Sequence, residues 1–165
     1  FKSGSCQYTL PVIFVCPMNA ALNNTPATPA VTMPKPPYIF LAEDDVDDQE
    51  FFAEAIAHRN SAVLVHAVGN GKQALHFLES LEPDQLPALI VLDYNLPEAD
   101  GADILRSLLH NPKFAQTPKV VWSTSSAARY EDTCLQLGAI AYYVKPGNLK
   151  GINELAGHML HFCGL

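Results

Sequence analysis

The chain has 165 residues, of which 48% are hydrophobic and 16% charged, enough for one domain with a buried core. Its 17 acidic and 10 basic residues leave a net charge of −7, which argues against direct binding to nucleic acid or to an anionic membrane. All 17 acids lie within residues 38–165. We therefore predict one acidic domain over residues 37–165, behind a segment of different composition.

Residues 1–36 form this N-terminal segment, which we expect to be disordered and to play no part in the function. Its one apolar stretch, residues 11–16, is far shorter than the ~20 residues of a membrane helix. Residues 23–37 are rich in Asn, Thr, Ala and Pro, which is typical of an extended linker. A signal peptide is one alternative. Vector-derived or upstream-translated sequence is another, because Met33 stands just before the domain.

The four cysteines are predicted to be reduced thiols, because no two of them are spaced as a metal-binding or redox pair. A domain with a good hydrophobic core needs no disulfide framework. His158 and His161 stand three residues apart, but no cysteine or carboxylate accompanies them, so a metal site there is disfavoured. The cytoplasm is the expected compartment.

Beyond residue 37, short apolar runs alternate with longer amphipathic ones. The apolar runs are rich in β-branched residues, as expected for parallel strands that are buried on both faces. They lie at 38–42, 62–68, 88–92, 119–122 and 140–144. The amphipathic runs repeat apolar residues at helical spacing, and they lie at 47–59, 71–81, 101–110, 126–137 and 148–161.

Five repeats of strand and helix predict the fold class, an α/β domain with a doubly wound parallel sheet. Turn-forming residues fall between the runs, for example at 69–71 and 97–101. Ligands of such sheets bind at the carboxyl ends of the strands. The residues that close each strand are therefore the first candidates for a functional site.

Polar or charged residues close four of the five predicted strands. They are Glu43 and Asp44 after the first, Asp93 after the third, Ser123 after the fourth and Lys145 after the fifth. Each has an ordinary structural explanation, such as a helix cap, a turn residue, a strand-end hydroxyl or an exposed base. Chance alone rarely brings all of them to one edge of a sheet, so we interpret them as one site.

The charges of these residues indicate the chemistry. Two carboxylates ~4 Å apart repel by roughly 4 kcal/mol at an effective dielectric near 20, so the cluster either raises a pKa or recruits a cation. Oxygen ligands with open coordination positions suit Mg²⁺. Asp93 could then attack phosphorus as a nucleophile, with Lys145 and Ser123 neutralising the phosphoryl oxygens.

Four ordered motifs carry a family resemblance. They are Phe-Leu-Ala-Glu-Asp-Asp at 40–45, Val-Leu-Asp-Tyr-Asn-Leu-Pro-Glu-Ala-Asp-Gly at 91–101, Trp-Ser-Thr-Ser at 122–125 and Tyr-Tyr-Val-Lys-Pro at 142–146. Together they resemble the receiver domain of two-component response regulators, over about residues 37–163. The likeness is to single-domain regulators of the chemotaxis-regulator or phytochrome-associated type. It implies a flavodoxin-like receiver fold of five helices and a five-stranded parallel sheet in the order 2-1-3-4-5.

The resemblance also implies roles for the residues at the strand ends. Asp93 would be the phosphoacceptor, and Lys145 would bind the phosphoryl group. Glu43 and Asp44 would be the acidic pair for Mg²⁺, with Asp44 bound directly and Glu43 through water. A register shifted by one residue would pair Asp44 with Asp45 instead. The backbone carbonyl of Asn95 would complete the protein ligands, beside Asp93 itself.

Two further positions match the family and one departs from it. Ser123 stands at the switch hydroxyl position and Tyr142 at the switch aromatic position. A cis peptide bond is implied between Lys145 and Pro146. Trp122 occupies a strand position where the family usually has a smaller aliphatic residue, so we expect different packing there.

The implied function is a switch controlled by phosphorylation, with a sensor histidine kinase or a phosphotransfer protein as donor. Such a domain catalyses only its own phosphorylation and dephosphorylation, so we do not expect an enzyme that converts a separate substrate. We expect output through a downstream protein that contacts the helix 4–strand 5–helix 5 face, about residues 126–161. A homodimer through this face is left open.

Two other functions stay open at this point. A phosphatase or phosphotransferase of the haloacid-dehalogenase type also places a nucleophilic Asp after an apolar strand, with Mg²⁺ and a lysine. Those enzymes have a second Asp two residues further on, where this chain has Asn95. A degenerate receiver would bind partners without phosphorylation, but the complete residue set argues against it.

Overall fold

A computed structural model of the chain describes residues 35–165. The prediction of disorder for residues 1–36 falls almost entirely on residues outside this range. The fold consists of five strands, five α-helices and two short 3₁₀ turns, at Pro83–Gln85 and Pro112–Phe114. The strands are β1 (Tyr38–Ala42), β2 (Leu64–Val68), β3 (Leu89–Asp93), β4 (Lys119–Ser123) and β5 (Ala141–Val144). The helices are α1 (Val46–Arg59), α2 (Gly71–Ser80), α3 (Gly101–Leu109), α4 (Ala128–Gln136) and α5 (Leu149–Phe162).

The five strands form one parallel sheet in the order β2-β1-β3-β4-β5. This confirms the predicted fold class and the strand order implied by the resemblance. Strand order reverses at β1, so β1 and β3 lie side by side. From this pair, β2 extends the sheet on one side, and β4 and β5 extend it on the other. The carboxyl ends of these two central strands are the place where doubly wound sheets bind ligands. No helix within residues 35–165 is long and apolar enough to cross a membrane.

A hydrophobic layer covers each face of the sheet. One layer combines side chains of the central strands with α1 and α5, and includes Phe52, Trp122 and Met159. The other combines the opposite side chains with α2, α3 and α4. All five residues of β3 and all five of β4 are buried, as expected for central strands that are mostly apolar.

Side chains cap most of the helices, and one cap bears on the acidic cluster. The carboxylate of Asp45 accepts hydrogen bonds from the backbone N–H groups of Asp47 and Asp48 at the start of α1. Capping therefore accounts for Asp45 and leaves Glu43 and Asp44 for another role. Helix α4 differs, since Ala127 stands at its N-cap and offers no side-chain acceptor.

Arg59 joins the end of α1 to α5. Its Nε donates to the backbone oxygen of Asn153 at 2.5 Å, and its guanidinium lies against Gly157. A Cβ at position 157 would come within 2.8 Å of Arg59 Nη1. The absence of a side chain on Gly157 therefore makes room for this crossing.

The Lys145–Pro146 peptide is trans, as are all peptide bonds in the described residues, so the prediction of a cis bond was wrong. The trans form of an X–Pro bond is favoured by about 0.5–1 kcal/mol. In this chain the trans bond already lets the Lys145 backbone N–H reach Ser123 O at 2.7 Å and its ammonium reach Asp93 at 2.7 Å. The placement of the lysine therefore does not require a cis bond.

Candidate functional site

The sheet brings the predicted site residues to the carboxyl ends of adjacent strands. Glu43 and Asp44 follow β1, Asp93 ends β3, Ser123 ends β4 and Lys145 follows β5. Glu43 and Ser123 are fully buried, and Asp93 is 4% exposed. Burial is unusual for carboxylates unless they are paired or bind a cation.

Lys145 is the centre of the site. Its ammonium lies 2.6 Å from Glu43 Oε2, 2.7 Å from Asp93 Oδ2 and 3.0 Å from Asp48 Oδ2. Burial alone would lower the pKa of Lys145, but hydrogen bonds to Asp93, Glu43 and Asp48 outweigh it and raise the pKa above its ordinary value. The lysine is therefore a permanent cation among three carboxylates.

Glu43 is held by three donors, although it is fully buried. Its Oε1 accepts from the Asp45 backbone N–H at 3.1 Å. Its Oε2 accepts from Trp122 Nε1 at 2.8 Å and lies 2.6 Å from the Lys145 ammonium. Burial raises the pKa of Glu43 to about 7, while the hydrogen bond to Lys145 opposes the rise. Burial and the Lys145 ammonium thus act in opposite directions on the loss of the Glu43 proton.

Three carboxylates fit a divalent cation. One oxygen each of Glu43, Asp44 and Asp93 lies within 4.8 Å of the others. Asp44 is exposed, whereas Glu43 and Asp93 are buried, so the group opens to solvent on one side. Hard oxygen ligands with an open side suit Mg²⁺, which keeps several of its waters. The three residues predicted as metal ligands through their side chains therefore do come together.

Asn95 lies close to this group through its backbone. Its N–H donates to Asp93 Oδ1 at 2.8 Å, while Lys145 occupies Asp93 Oδ2. Both carboxylate oxygens of Asp93 thus have a donor, which fixes the orientation of the side chain. The role of the Asn95 carbonyl as a metal ligand stays a prediction.

Ser123 and Tyr142 are linked through the loop that follows β4. The backbone N–H of Ser125 donates to Ser123 Oγ at 3.2 Å, and Tyr142 Oη donates to the backbone oxygen of Ser125 at 2.8 Å. Burial raises the pKa of Tyr142 above its ordinary value, so its hydroxyl stays a donor at neutral pH. The two predicted switch residues therefore both form a hydrogen bond with the backbone of Ser125.

The predicted site residues include neither Asp48 nor Trp122. Trp122 spans the end of β3 to reach Glu43, and its ring lies 5.1 Å from the Lys145 ammonium. A buried indole N–H nearly always finds an acceptor, and that rule could have directed attention to Glu43. Asp48 lies in the first turn of α1, where the helix begins directly after the acidic pair.

A comparison with protein-family models matches residues 39–156 to the response regulator receiver domain. The chain belongs to this family. The predicted recognition is thus confirmed, and the haloacid-dehalogenase alternative is not favoured.

Curated relatives of this receiver are two-component response regulators. ORR12 of Oryza sativa subsp. japonica is 34% identical over 123 residues, which cover 74% of this chain and 98% of the relative. ORR11 of Oryza sativa subsp. indica is 30% identical over 125 residues, covering 76% of this chain and 82% of the relative.

Solved receivers have the same fold. The phosphorylated cyanobacterial phytochrome response regulator RcpA matches with a TM-score of 0.70 at 29% identity, covering 76% of this chain and 92% of that chain. The Mn²⁺-bound form of the response regulator Rcp1 matches with a TM-score of 0.68 at 28% identity, covering 77% and 94%. The response regulator RPA3017, in red light signalling of R. palustris, also matches, with a TM-score of 0.67 at 27% identity, covering 76% of this chain and 92% of that chain.

Proposed function

We propose that this receiver is a phosphorylation switch that accepts a phosphoryl group on Asp93 in a Mg²⁺-dependent reaction. The contact that carries the proposal is the one between Lys145 and Asp93, 2.7 Å apart, beside the Glu43–Asp44–Asp93 carboxylate group. A nucleophilic carboxylate, a fixed cation and a metal-sized acidic group are the parts that phosphoryl transfer to an aspartate requires. One solved relative is a phosphorylated form and another is Mn²⁺-bound, which supports the same chemistry here.

In the proposed reaction, an oxygen of Asp93 forms a bond to phosphorus while the bond from phosphorus to a histidine nitrogen of the donor breaks. The imidazole leaves with the electron pair of that bond and regains its proton from solvent. Hydrolysis later restores the free carboxylate of Asp93. Water attacks phosphorus, the bond from phosphorus to the Asp93 oxygen breaks, and inorganic phosphate is released. The donor would be a sensor histidine kinase or a phosphotransfer protein.

The chain's own residues have distinct tasks in this reaction. Asp44 and Asp93 would hold Mg²⁺ directly, Glu43 through water, and Asn95 through its backbone carbonyl. When bound, the cation neutralises charge on the transferring phosphoryl group. Lys145 would supply a second, fixed positive charge next to Asp93.

Ser123 and Tyr142 are proposed to report the phosphorylated state. The Ser123 hydroxyl would turn toward the phosphoryl oxygens and so release the hydrogen bond from the Ser125 N–H. Because Tyr142 bonds to the Ser125 carbonyl, movement of this segment would reach β5. We also propose that the domain catalyses only these phosphorylation and dephosphorylation steps and no separate reaction.

The output surface is proposed to be the face formed by α4, β5 and α5, as expected from the sequence. Large apolar side chains are exposed there, namely Leu135 (42% exposed), Ile140 (49%) and Val144 (48%). Exposed apolar side chains on this face support a protein contact there. A downstream protein is the proposed partner, and a homodimer would use the same face. Ile140→Lys should weaken either contact without changing phosphorylation.

The cytoplasm is the proposed compartment. Cys134 and Cys163 are both free thiols, and burial raises the pKa of each to about 11. Unpaired, unreactive thiols fit a reducing environment.

Intact-mass measurement after incubation with acetyl phosphate and Mg²⁺ tests the proposal. The wild-type protein should gain one phosphoryl group, and EDTA should abolish the gain. Asp93→Asn should gain none, whereas Asp103→Asn, which changes an exposed acid on α3, should behave as wild type. Lack of an adduct in the wild type, with beryllofluoride as well, would favour a phosphorylation-independent receiver. Steady phosphate release from many substrates would favour a phosphatase.

A further inference from the structure

The Lys145 ammonium has as many partners as it has N–H bonds. An ammonium carries three donors, and three carboxylates surround this one: Glu43 at 2.6 Å, Asp93 at 2.7 Å and Asp48 at 3.0 Å. The Lys145 side chain is only 10% exposed. A phosphoryl oxygen on Asp93 that approaches Lys145 therefore competes for the ammonium with the two carboxylates that keep their charge, Glu43 and Asp48.

Of the two carboxylates that keep their charge when Asp93 is phosphorylated, Asp48 is the easier to displace. Its side chain is 31% exposed, whereas those of Glu43 and Asp93 are 0% and 6% exposed. A displaced Asp48 would regain water, but a displaced Glu43 would leave a buried charge with one donor fewer, which costs far more. Asp48 also makes the longest of the three contacts. It does not belong to the three-carboxylate group that fits a metal, so its ionic contact is with Lys145.

We propose that Asp48 is an exchangeable partner of Lys145, which holds the third donor until a phosphoryl oxygen replaces it. Asp48 acts through Lys145 and is therefore a positioning residue, not a catalytic one. This inference rests on the proposed function, because it assumes that a phosphoryl group forms on Asp93.

The exchange has a structural consequence for α1. Asp48 lies in the first turn of this helix, and its backbone N–H is held by the Asp45 cap. Its bond to Lys145 ties that turn to the residue after β5. When a phosphoryl oxygen replaces Asp48 at the Lys145 ammonium, the salt bridge between α1 and Lys145 is broken. Phosphorylation of Asp93 would thus change the contacts of the first turn of α1, independently of Ser123 and Tyr142.

The proposal predicts that removing the Asp48 charge favours the phosphorylated form. In the wild type, binding of a phosphoryl group must break the Lys145–Asp48 pair, and in Asp48→Asn this cost is largely gone. A partly exposed pair of this kind changes an equilibrium by up to about fivefold. We therefore expect Asp48→Asn to bind a phosphoryl analogue about three- to fivefold more tightly than a variant that changes only the charge.

Asp47→Asn is the matched control. Asp47 is the neighbouring acid in the same turn, it is exposed, and it forms no salt bridge among residues 35–165. Both variants remove one negative charge close to the site, so both should weaken binding of Mg²⁺ alone to a similar extent. A difference between them for the analogue then reports the contact with Lys145.

Isothermal titration calorimetry with beryllofluoride at saturating Mg²⁺ measures this difference, on the full chain. Amide NMR shifts of residues 46–49 give a second measurement: on analogue binding they should change clearly in the wild type and in Asp47→Asn, and less in Asp48→Asn. A merely structural role for Asp48 would not produce this pattern. Thermal unfolding of each variant checks that the fold is intact.

The outcomes separate this inference from the function on which it rests. Equal analogue affinities in Asp48→Asn and Asp47→Asn would overturn the exchange, and so would weaker binding by Asp48→Asn. Failure of the wild type to bind the analogue or to gain a phosphoryl group would overturn the proposed function instead. Wild-type binding that Asp93→Asn abolishes confirms that the analogue occupies the intended site.

Discussion

Replacing Trp122 with Phe removes one hydrogen-bond donor from the buried carboxyl group of Glu43. In the wild type, Trp122 Nε1 donates to Glu43 Oε2 at 2.8 Å, and both residues are at most 1% exposed. A hydrogen bond to a charged group contributes about 1.5–3 kcal/mol, and one between neutral groups about 0.5–1.5 kcal/mol. The variant should therefore lose about 1 kcal/mol more stability when Glu43 is ionised than when it is protonated.

The pH dependence follows from the pKa of Glu43, which burial raises from 4.5 to about 7. The unfolded chain releases this proton near pH 4.5, but the folded domain keeps it up to about pH 7. The free energy of unfolding of the metal-free protein should therefore fall as pH rises through this window. Loss of the Trp122 donor removes a hydrogen bond to the charged form and so raises the pKa of Glu43 in the folded domain further. The fall in the free energy of unfolding should therefore be larger in Trp122→Phe.

Urea unfolding in EDTA at pH 5.5 and at pH 8.5 measures the effect. Phe52→Leu is the control, because Phe52 packs edge-on against Trp122 with ring centroids 5.3 Å apart and has no polar atom. It should lose the same stability at both pH values. If Trp122→Phe also loses the same amount at both, the indole does not stabilise the Glu43 carboxylate and the reasoning fails.

The packing of Gly71 and the burial of His66 lead to two more predictions. A Cβ on Gly71 would lie 1.8 Å from the backbone oxygen of Ala99, so Gly71→Ala should lower the free energy of unfolding in urea by about 1–3 kcal/mol. Gly69→Ala, with nothing within 4 Å, should have little effect, and equal losses would contradict the steric reason. Burial lowers the pKa of His66 from 6.5, so this group destabilises the fold as pH falls below 6.5. The melting temperature should fall less between pH 7.5 and pH 5 in His66→Phe than in the wild type. In the control His76→Gln, which changes an exposed histidine, it should fall as in the wild type. Parallel profiles for the wild type and His66→Phe would refute the assignment.

Hydrophobic patterning predicted the elements of the sheet well, because the central strands are buried on both faces and are mostly apolar. Patterning was weaker at the ends of elements, where single polar contacts decide. The second strand was predicted from residue 62 but begins at Leu64, because the Ala62 N–H bonds to the Asn60 side chain in a turn. The fourth helix was predicted from residue 126 but begins at Ala128, after the Ser125 hydroxyl binds the Ala127 N–H.

The main members of the candidate site were predictable for a topological reason. Parallel strands deliver the residues that follow them to one edge, so Glu43, Asp93 and Lys145 had to come close once the strand order was known. The contacts made by Trp122 and Asp48 were not predictable in this way. They depend on how far an indole reaches across β3 and on which face of the first helical turn meets the lysine, and apolar periodicity carries no information about either.

The crossing of Arg59 over Gly157 has a consequence for any substitution at position 157. The far end of the Arg59 side chain lies where a Cβ at position 157 would stand, and its Nε donates to the Asn153 carbonyl. A side chain at position 157 would push the guanidinium of Arg59 aside. The hydrogen bond to Asn153 would then be lost, and with it the link between the end of α1 and α5.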